Sequence, residues 1–254
     1  MDVSICTTNY NCAHALPRHL ESVFGALEGL NFEYIVVDNR SRDRSWDILA
    51  AWQTTHPNVQ LLSKRCTMGT GRQLAFLNSG GHLILILDTD VVYDSVLRAF
   101  VDWYIASNSP FGLQAIFGGI FPREVWSRIG GRRSLNTNED VDMWIRLWRI
   151  GMIRWYPMPL GTNLKEPDAV GSFDHLSARY TRSERTLRLL RREWDLFKTQ
   201  SAQRIDLQKM IASNAIDLGL GKALRAWPQN RTRQTAAEHL LEFVRLAKQT
   251  IRTP

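Results

Sequence analysis

Short apolar runs alternate with amphipathic stretches through the first part of the chain. Residues 3–6, 32–37 and 59–62 are short segments dominated by apolar residues, as in strands that are covered on both faces. Between them, apolar residues recur every three or four positions, which is typical of helices that cover one face of a sheet. This alternation predicts right-handed crossovers and a mainly parallel sheet, an architecture of the nucleotide-binding type.

The same periodicities predict further elements as far as residue 156. Helices are predicted over residues 16–27, 43–52, 71–78, 95–106 and 139–150, with a short one that begins at Pro122 and ends at the glycine pair 130–131. Strands are predicted at 82–87, 113–117 and 152–156. Residues 161–172 are predicted to form a loop, because they contain Pro167 and two glycines.

The apolar run 82–87 ends abruptly in Asp88-Thr-Asp90. Ligands of open α/β sheets gather at the carboxyl ends of the strands, so these aspartates lie where a ligand is expected. Alternation along an extended chain points both carboxylates the same way, and two such groups can share a divalent cation. The alternative is a turn with solvated acids, because the three-residue pattern alone is common.

A second acidic pair, Glu139-Asp140, opens the amphipathic segment 139–150. A carboxylate here is a candidate general base, since an acceptor hydroxyl is a poor nucleophile until its proton is removed. Acids in a first helical turn also have a purely structural explanation, because they interact favourably with the helix dipole.

Five motifs, each at the end of a predicted element, occur in an order that resembles the family 2 glycosyltransferases. They are CTTNYN at 6–11, VDNRSRD at 37–43, GTGR at 69–72, DTD at 88–90 and NEDVDMWIR at 138–146. The resemblance covers roughly residues 2–182 and implies the GT-A fold, a Rossmann-like α/β/α sandwich with a mainly parallel mixed sheet. It implies inverting transfer of a sugar from a UDP- or GDP-linked donor to a hydroxyl acceptor, with Mn²⁺ or Mg²⁺ as cofactor.

The resemblance also implies roles for individual residues. Asp140 matches the catalytic base and Glu139 its companion, while Asp90 would ligate the cation and Asp88 would contact the ribose or a metal-bound water. Asp38 would recognise the nucleotide base, and Arg123 is a weaker match. The full set of donor-binding matches is Thr7, Thr8, Asp38, Arg72, Asp88, Gly118, Gly119 and Arg179.

His175 completes the implied metal set with Asp88 and Asp90. In many relatives a histidine at this late point of the chain reaches the metal or the diphosphate, and the neighbouring Arg179 would hold phosphate oxygens. A histidine in a loop is otherwise solvated or hydrogen-bonded locally, so both interpretations stay open at this point.

The basic charge belongs to the C-terminal part of the chain. The net charge is +7, and residues 176–254 contribute +9 (16 Lys and Arg against 7 Asp and Glu), which leaves −2 for residues 1–175. We therefore expect a catalytic domain over 1–180 and a basic, amphipathic helical region over 181–254. That region either covers the core, lies on an anionic membrane surface or binds nucleic acid, and nucleic acid is the least expected of the three.

The cysteines and the hydropathy place the chain in the cytoplasm, free or on the inner face of the cell membrane. Cys6, Cys12 and Cys66 form no C-x-x-C spacing, and their odd number does not suggest a disulfide framework. No apolar run approaches the length of a membrane span, and no secretory signal is recognisable at the start. The expected acceptor is a glycan or a lipid-linked hydroxyl compound.

A different class of function remains open from the sequence. In that alternative the chain is a non-catalytic protein that binds a membrane or nucleic acid through its basic region, and the sheet is only a scaffold. It would show steeply salt-dependent binding to polyanions. A nucleotidyltransferase is less favoured, because the chain lacks a Gly-rich, Lys-bearing loop after the first strand.

Overall fold

The computed structural model describes residues 2–136 and 139–164, without the side chains of 156–158. The strands are β1 (Val3–Asn9), β2 (Phe32–Asp38), β3 (Val59–Ser63), β4 (Leu83–Leu87), β5 (Val91–Tyr93), β6 (Gly112–Ile116), β7 (Gly118–Pro122), β8 (Ile153–Pro159) and β9 (Gly161–Asn163). The helices are α1 (Leu16–Ala26), α2 (Ser45–Thr55), α3 (Met68–Leu77), α4 (Ser95–Ser107), α5 (Arg123–Arg128) and α6 (Glu139–Arg149).

Seven of these strands form one sheet in the order β3-β2-β1-β4-β7-β6-β8. β1 pairs in parallel with β2 and β4, β2 with β3, and β6 with β8, whereas β7 runs antiparallel to both of its neighbours. β5 and β9 form a separate antiparallel pair. The predicted α/β fold with a mainly parallel mixed sheet is confirmed.

Helices cover both faces of the sheet, so successive strand residues enter different apolar clusters. On β2, Tyr34 and Val36 belong to the cluster that includes α1 and α4, while Ile35 and Val37 belong to the cluster that includes α3, α5 and α6. This division explains why the central strands are apolar at nearly every position, since neither face meets water. The result is a three-layer sandwich whose carboxyl strand ends meet along one edge.

Three short strands were not predicted. β5 and β7 went unrecognised, and the prediction of a loop at 161–172 is wrong for Gly161–Asn163, which pairs with β5. β7 and β9 begin with glycines, which suggest turns when the sequence is considered alone. In the fold they allow close backbone approach: a Cβ on Gly118 would lie 2.9 Å from the Ile86 carbonyl oxygen. The rest of the predicted loop, the expected boundary near residue 180 and the basic region lie outside the described residues.

Candidate active site

The two aspartates of the DTD motif follow β4 at the edge where the carboxyl ends of β1 and β2 also lie. Thr89 is buried, whereas Asp88 and Asp90 are partly exposed, so burial follows the predicted alternation. Directly afterwards β5 folds back, and the Tyr93 hydroxyl accepts a hydrogen bond from the Asp88 backbone N–H at 2.9 Å. A buried side chain thus fixes the backbone at Asp88, the first residue of the motif.

Arg72 brings the DTD motif and the start of α6 together. Its guanidinium donates from Nη2 to Asp88 Oδ1 at 2.6 Å and from Nη1 to Glu139 Oε1 at 2.7 Å and Asp140 Oδ1 at 2.8 Å. Arg72 is 4% exposed and lies in α3, whose close approach to β1 requires the small Gly71. Three carboxylates selected from the sequence therefore meet around the buried guanidinium of Arg72, which was also selected.

A second buried arginine, Arg132, was not selected from the sequence. Its Nη1 contacts Asp140 and lies 3.6 Å from Glu139 Oε1, and its guanidinium packs over the Trp126 ring. The Arg132 backbone N–H donates to Gln73 Oε1 at 2.8 Å. The preceding Gly130-Gly131 pair indicated only a helix end, so the pattern gave no reason to choose this arginine.

Burial and charge separate the pKa values of the two acids at the start of α6. Burial raises the pKa of Glu139 to about 7, and the negative charge of Asp140 adds to the rise while Arg72 opposes it. For Asp140, burial acts in the same direction, but the charges of Arg132 and Arg72 outweigh it and hold the pKa well below its ordinary value. Asp140 is therefore the ionised member of the pair.

Asp88 experiences the same competition. Burial raises the pKa of Asp88 to about 6, Arg72 opposes that rise, and the nearby charges of Asp90 and Asp140 add to it. A further cation beside Asp88 would favour its ionised form. Among the residues that the structure describes, no group of three or more His, Cys, Asp or Glu is arranged to hold a metal on its own.

The predicted nucleotide contacts on β1 and β2 are largely buried. Asp38 Oδ1 accepts from Asn9 Nδ2 at 2.8 Å and from Ser41 Oγ at 2.6 Å, which fixes the loop after β2. The Thr7 hydroxyl donates to the Leu87 carbonyl at 2.7 Å and joins β1 to the end of β4, whereas Thr8 is partly exposed. Their contacts with a nucleotide stay predictions.

Of the five remaining candidates, two lie at the site, one forms hydrogen bonds away from the acids, and two lie outside the described residues. Gly118 and Gly119 open β7 beside the end of β4, with Gly118 opposite Leu87. Arg123 instead donates to the Gly81 carbonyl and to Ser79 Oγ, at 2.6 and 2.7 Å, and packs over Phe76. His175 and Arg179 lie outside the described residues.

The comparisons with known proteins agree with the resemblance in the sequence. The model of the family described as Glycosyl transferase family 2 matches residues 4–134, just over half of the 254 residues. A dolichol-phosphate mannosyltransferase of Pyrococcus furiosus is 28% identical over 93 residues, which cover 36% of this chain and 26% of that protein. A dolichyl-phosphate β-glucosyltransferase of Trichomonas vaginalis is 30% identical over 97 residues, 35% of this chain and 30% of that protein. The chain thus matches less than a third of the length of these relatives.

Solved structures confirm the fold. The mannosyltransferase PcManGT of Pyrobaculum calidifontis, in complex with GDP-Man and Mn²⁺, superposes with a TM-score of 0.58 at 16% identity, covering 97% of this chain and 86% of that one. The S. aureus TarS 1–349 structure in complex with UDP-GlcNAc superposes with a TM-score of 0.53 at 13% identity, covering 98% and 90%. At such identities the superpositions establish the GT-A fold alone.

Proposed function

Because the chain belongs to glycosyl transferase family 2 and is a glycosyltransferase, we propose that it transfers a sugar from a UDP- or GDP-linked donor to a hydroxyl acceptor with inversion. The observation that carries this proposal is the meeting of Asp88 and Asp140 on Arg72. Through Arg72, the carboxylate expected near the donor diphosphate is connected to the carboxylate expected to accept the proton. The family match favours catalysis over the non-catalytic alternative.

In the proposed reaction, the acceptor oxygen attacks the anomeric carbon from the face opposite the diphosphate. The new carbon–oxygen bond forms as the bond to the diphosphate breaks, and the acceptor proton passes to Asp140. The low pKa of Asp140 in the present arrangement makes it a weak proton acceptor. A donor diphosphate would compete with Asp140 for the guanidiniums of Arg72 and Arg132 and so raise its basicity. Glu139, whose pKa is about 7, is the companion that would keep a proton nearby.

The charges of the site fit a divalent cation. Four carboxylates, those of Asp88, Asp90, Glu139 and Asp140, are set against the two guanidiniums that bind Glu139 and Asp140. If all are ionised, the net charge is −2, which one Mn²⁺ or Mg²⁺ would cancel. We propose that Asp88 and Asp90 hold the ion, with His175 as a further ligand. When bound, it would neutralise the departing diphosphate.

The curated relatives suggest a class of acceptor. Both are named for hexosyl transfer involving dolichyl phosphate, so we propose a lipid-linked acceptor for this chain. Because the proposed base removes a proton from a hydroxyl, the reacting group would be a hydroxyl of a lipid-linked glycan, with a cell-surface glycan as the other candidate. The solved structures contain GDP-Man and UDP-GlcNAc, which leaves both nucleotides as candidate donors. We further propose that Thr7, Thr8, Asp38, Arg72, Gly118, Gly119 and Arg179 line the donor site.

A lipid-linked acceptor requires the active edge to face a membrane. Arg40, Arg44, Lys64 and Arg65 are exposed on the loops that follow β2 and β3. These loops are joined, since the Lys64 backbone N–H donates to the Asp38 carbonyl at 3.0 Å. We propose that they meet the anionic surface of the cytoplasmic membrane, together with the basic region 181–254. In the described part of the chain, no helix is long and apolar enough to cross a membrane.

The proposed function is tested by incubating the full-length protein with UDP- and GDP-sugars, Mn²⁺ and a polyprenyl-linked glycan, which offers a hydroxyl acceptor. Donor binding is first identified by thermal shift. Release of nucleoside diphosphate together with a glycosylated lipid is the expected result, and nuclear magnetic resonance of the product should show inverted anomeric configuration. Binding of no sugar nucleotide, with or without Mn²⁺, would reject the proposal.

A further inference from the structure

The turn from β6 to β7 is held from two sides by buried polar side chains. The Tyr93 hydroxyl donates to the Phe117 carbonyl at 2.6 Å, and Gln114 Nε2 donates to the Gly118 carbonyl at 2.7 Å. Phe117 has φ +68, a left-handed conformation that is unfavourable for a residue with a Cβ. A strained turn persists only when its surroundings fix it, and here two side chains do so.

Tyr93 links this turn to the DTD motif. The hydroxyl that donates to Phe117 also accepts from the backbone N–H of Asp88. The side chain is 3% exposed, and its ring packs edge-on against His19 at a centroid distance of 5.7 Å. One oxygen atom therefore ties the Asp88 backbone to the turn before Gly118, in addition to the direct pairing of β4 with β7.

Gln114 links the same turn to the helix that carries Asp140. Its Oε1 accepts from Trp144 Nε1 at 2.9 Å, and Trp144 lies one helical turn after Asp140 on α6. The amide packs directly against β7, since a Cβ on Gly119 would lie 2.6 Å from Gln114 Oε1. A buried amide at this strand position orients α6 against β7 through directed bonds, which an apolar side chain would not provide.

We propose that Tyr93 and Gln114 are positioning residues that fix three parts of the site relative to one another: Asp88, the Gly118–Gly119 backbone and the Asp140 helix. The inference rests on the proposed function. In group transfer, small misplacements of reacting groups are costly, so residues that do not touch the substrate can still limit the rate. Neither residue was among those selected from the sequence.

Tyr93→Phe tests the first link, because it removes the hydroxyl with its hydrogen bonds to the Asp88 and Phe117 backbone and keeps the ring. Tyr104→Phe is the matched control: Tyr104 is equally buried, and its hydroxyl also donates to a carbonyl, that of Phe111 at 2.5 Å. We expect similar falls in Tm for both variants. Only Tyr93→Phe should raise the KM for the donor and weaken Mn²⁺-dependent nucleotide binding, each by about tenfold. Kinetic and binding constants equal to those of the control would overturn this link.

The second link is tested by a double-mutant cycle of Gln114→Met and Trp144→Phe. Each change breaks the Trp144–Gln114 hydrogen bond, so we expect each to lower kcat several-fold with little change in donor KM. The double variant should be no slower than Gln114→Met. An unchanged kcat in the single variants, or effects that multiply in the double variant, would reject the link between the turn and α6.

The outcomes separate this inference from the proposed function. If the wild-type protein transfers no sugar but binds UDP or GDP, the inference is judged on nucleotide affinity alone: Tyr93→Phe must weaken it and Tyr104→Phe must not. If the wild type transfers sugar and all four variants match it apart from stability, the proposed function stands and the positioning role is wrong.

Discussion

Arg72 and Asp140 lie 68 positions apart in the sequence, yet their guanidinium and carboxylate atoms are 2.8 Å apart. Arg72 belongs to the helix before the DTD strand, and Asp140 opens the last described helix. Because Arg72 also binds Asp88, the ends of the proposed site share one buried cation. The charge state of any member therefore affects the others, and the following predictions use that coupling.

Asp140→Asn should lower kcat by about 10²–10⁴ without weakening donor binding. The amide cannot accept the acceptor proton, and a general base contributes an effect of this size. The control is Asp102→Asn, which should leave kcat unchanged. Asp102 has an exposed carboxylate on α4 that pairs with Arg98. Steady-state kinetics and donor titration measure both quantities. Wild-type turnover in Asp140→Asn would remove Asp140 from the mechanism.

Asp90→Ala should abolish the dependence of nucleotide affinity on Mn²⁺. Without Mn²⁺, the variant and the wild type should bind the nucleotide with similar affinity, because only the ion-mediated contact is lost. Calorimetric titration at several Mn²⁺ concentrations measures this, again with Asp102→Asn as control. A variant that retained the full effect of Mn²⁺ would show that the ion is held elsewhere.

Arg132→Met should destabilise the protein by about 3–5 kcal/mol, since it leaves the buried carboxylate of Glu139, and the partly exposed carboxylate of Asp140, with a single arginine. The adjacent Arg133 provides a matched control. Its side chain is 60% exposed and pairs with Asp142, so Arg133→Met should cost about 0–1 kcal/mol. Chemical denaturation followed by tryptophan fluorescence measures the difference. Equal losses for the two variants would show that Arg132 is not buried against these acids.

Glu139→Gln should gain stability relative to the wild type as the pH rises from about 5 to 8. The pKa of Glu139 is raised to about 7 in the folded protein, so its neutral form is favoured there, while the unfolded chain ionises near its ordinary value. Raising the pH through this window therefore stabilises the unfolded wild type, by up to about 1.4 kcal/mol per pH unit. Glutamine does not ionise, so the variant lacks this pH-dependent loss of stability. Parallel Tm curves for the two proteins would contradict the raised pKa.

Vesicle binding should depend on the loops after β2 and β3. Arg44→Gln combined with Arg65→Gln should weaken binding to vesicles that contain phosphatidylglycerol by about tenfold or more, since each basic residue near an anionic surface contributes about 1 kcal/mol. Arg18→Gln combined with Arg128→Gln removes the same charge from α1 and α5 and should have little effect. Co-sedimentation with the full-length protein measures both. Equal losses would exclude an orienting role for these loops.

The order of the elements and half of the site could be predicted from the sequence, because they depend on local patterns. The strand before Asp88 and the helix after Glu139 follow from apolar periodicity, and the acids follow from their position at element ends. Arg132 and β7 could not be predicted. Arg132 becomes part of the site only through packing on Trp126, and β7 begins with two glycines that favour a strand only when β4 and β6 already lie beside it.

The direction of β7 limits how this edge of the proposed site can change during evolution. Because β7 runs against β4, it contributes its first residues to the active edge, directly after the tight turn at Phe117. One residue inserted there would exchange the two faces of β7 and move Phe121 out of the apolar cluster that includes α3, α5 and α6 into the one on the opposite face. The start of β7 can therefore change little, either by insertion or by substitution, because a Cβ on Gly118 would lie 2.9 Å from the Ile86 carbonyl oxygen and one on Gly119 would lie 2.6 Å from Gln114 Oε1. New sugar preferences should arise first in the stretch before α6.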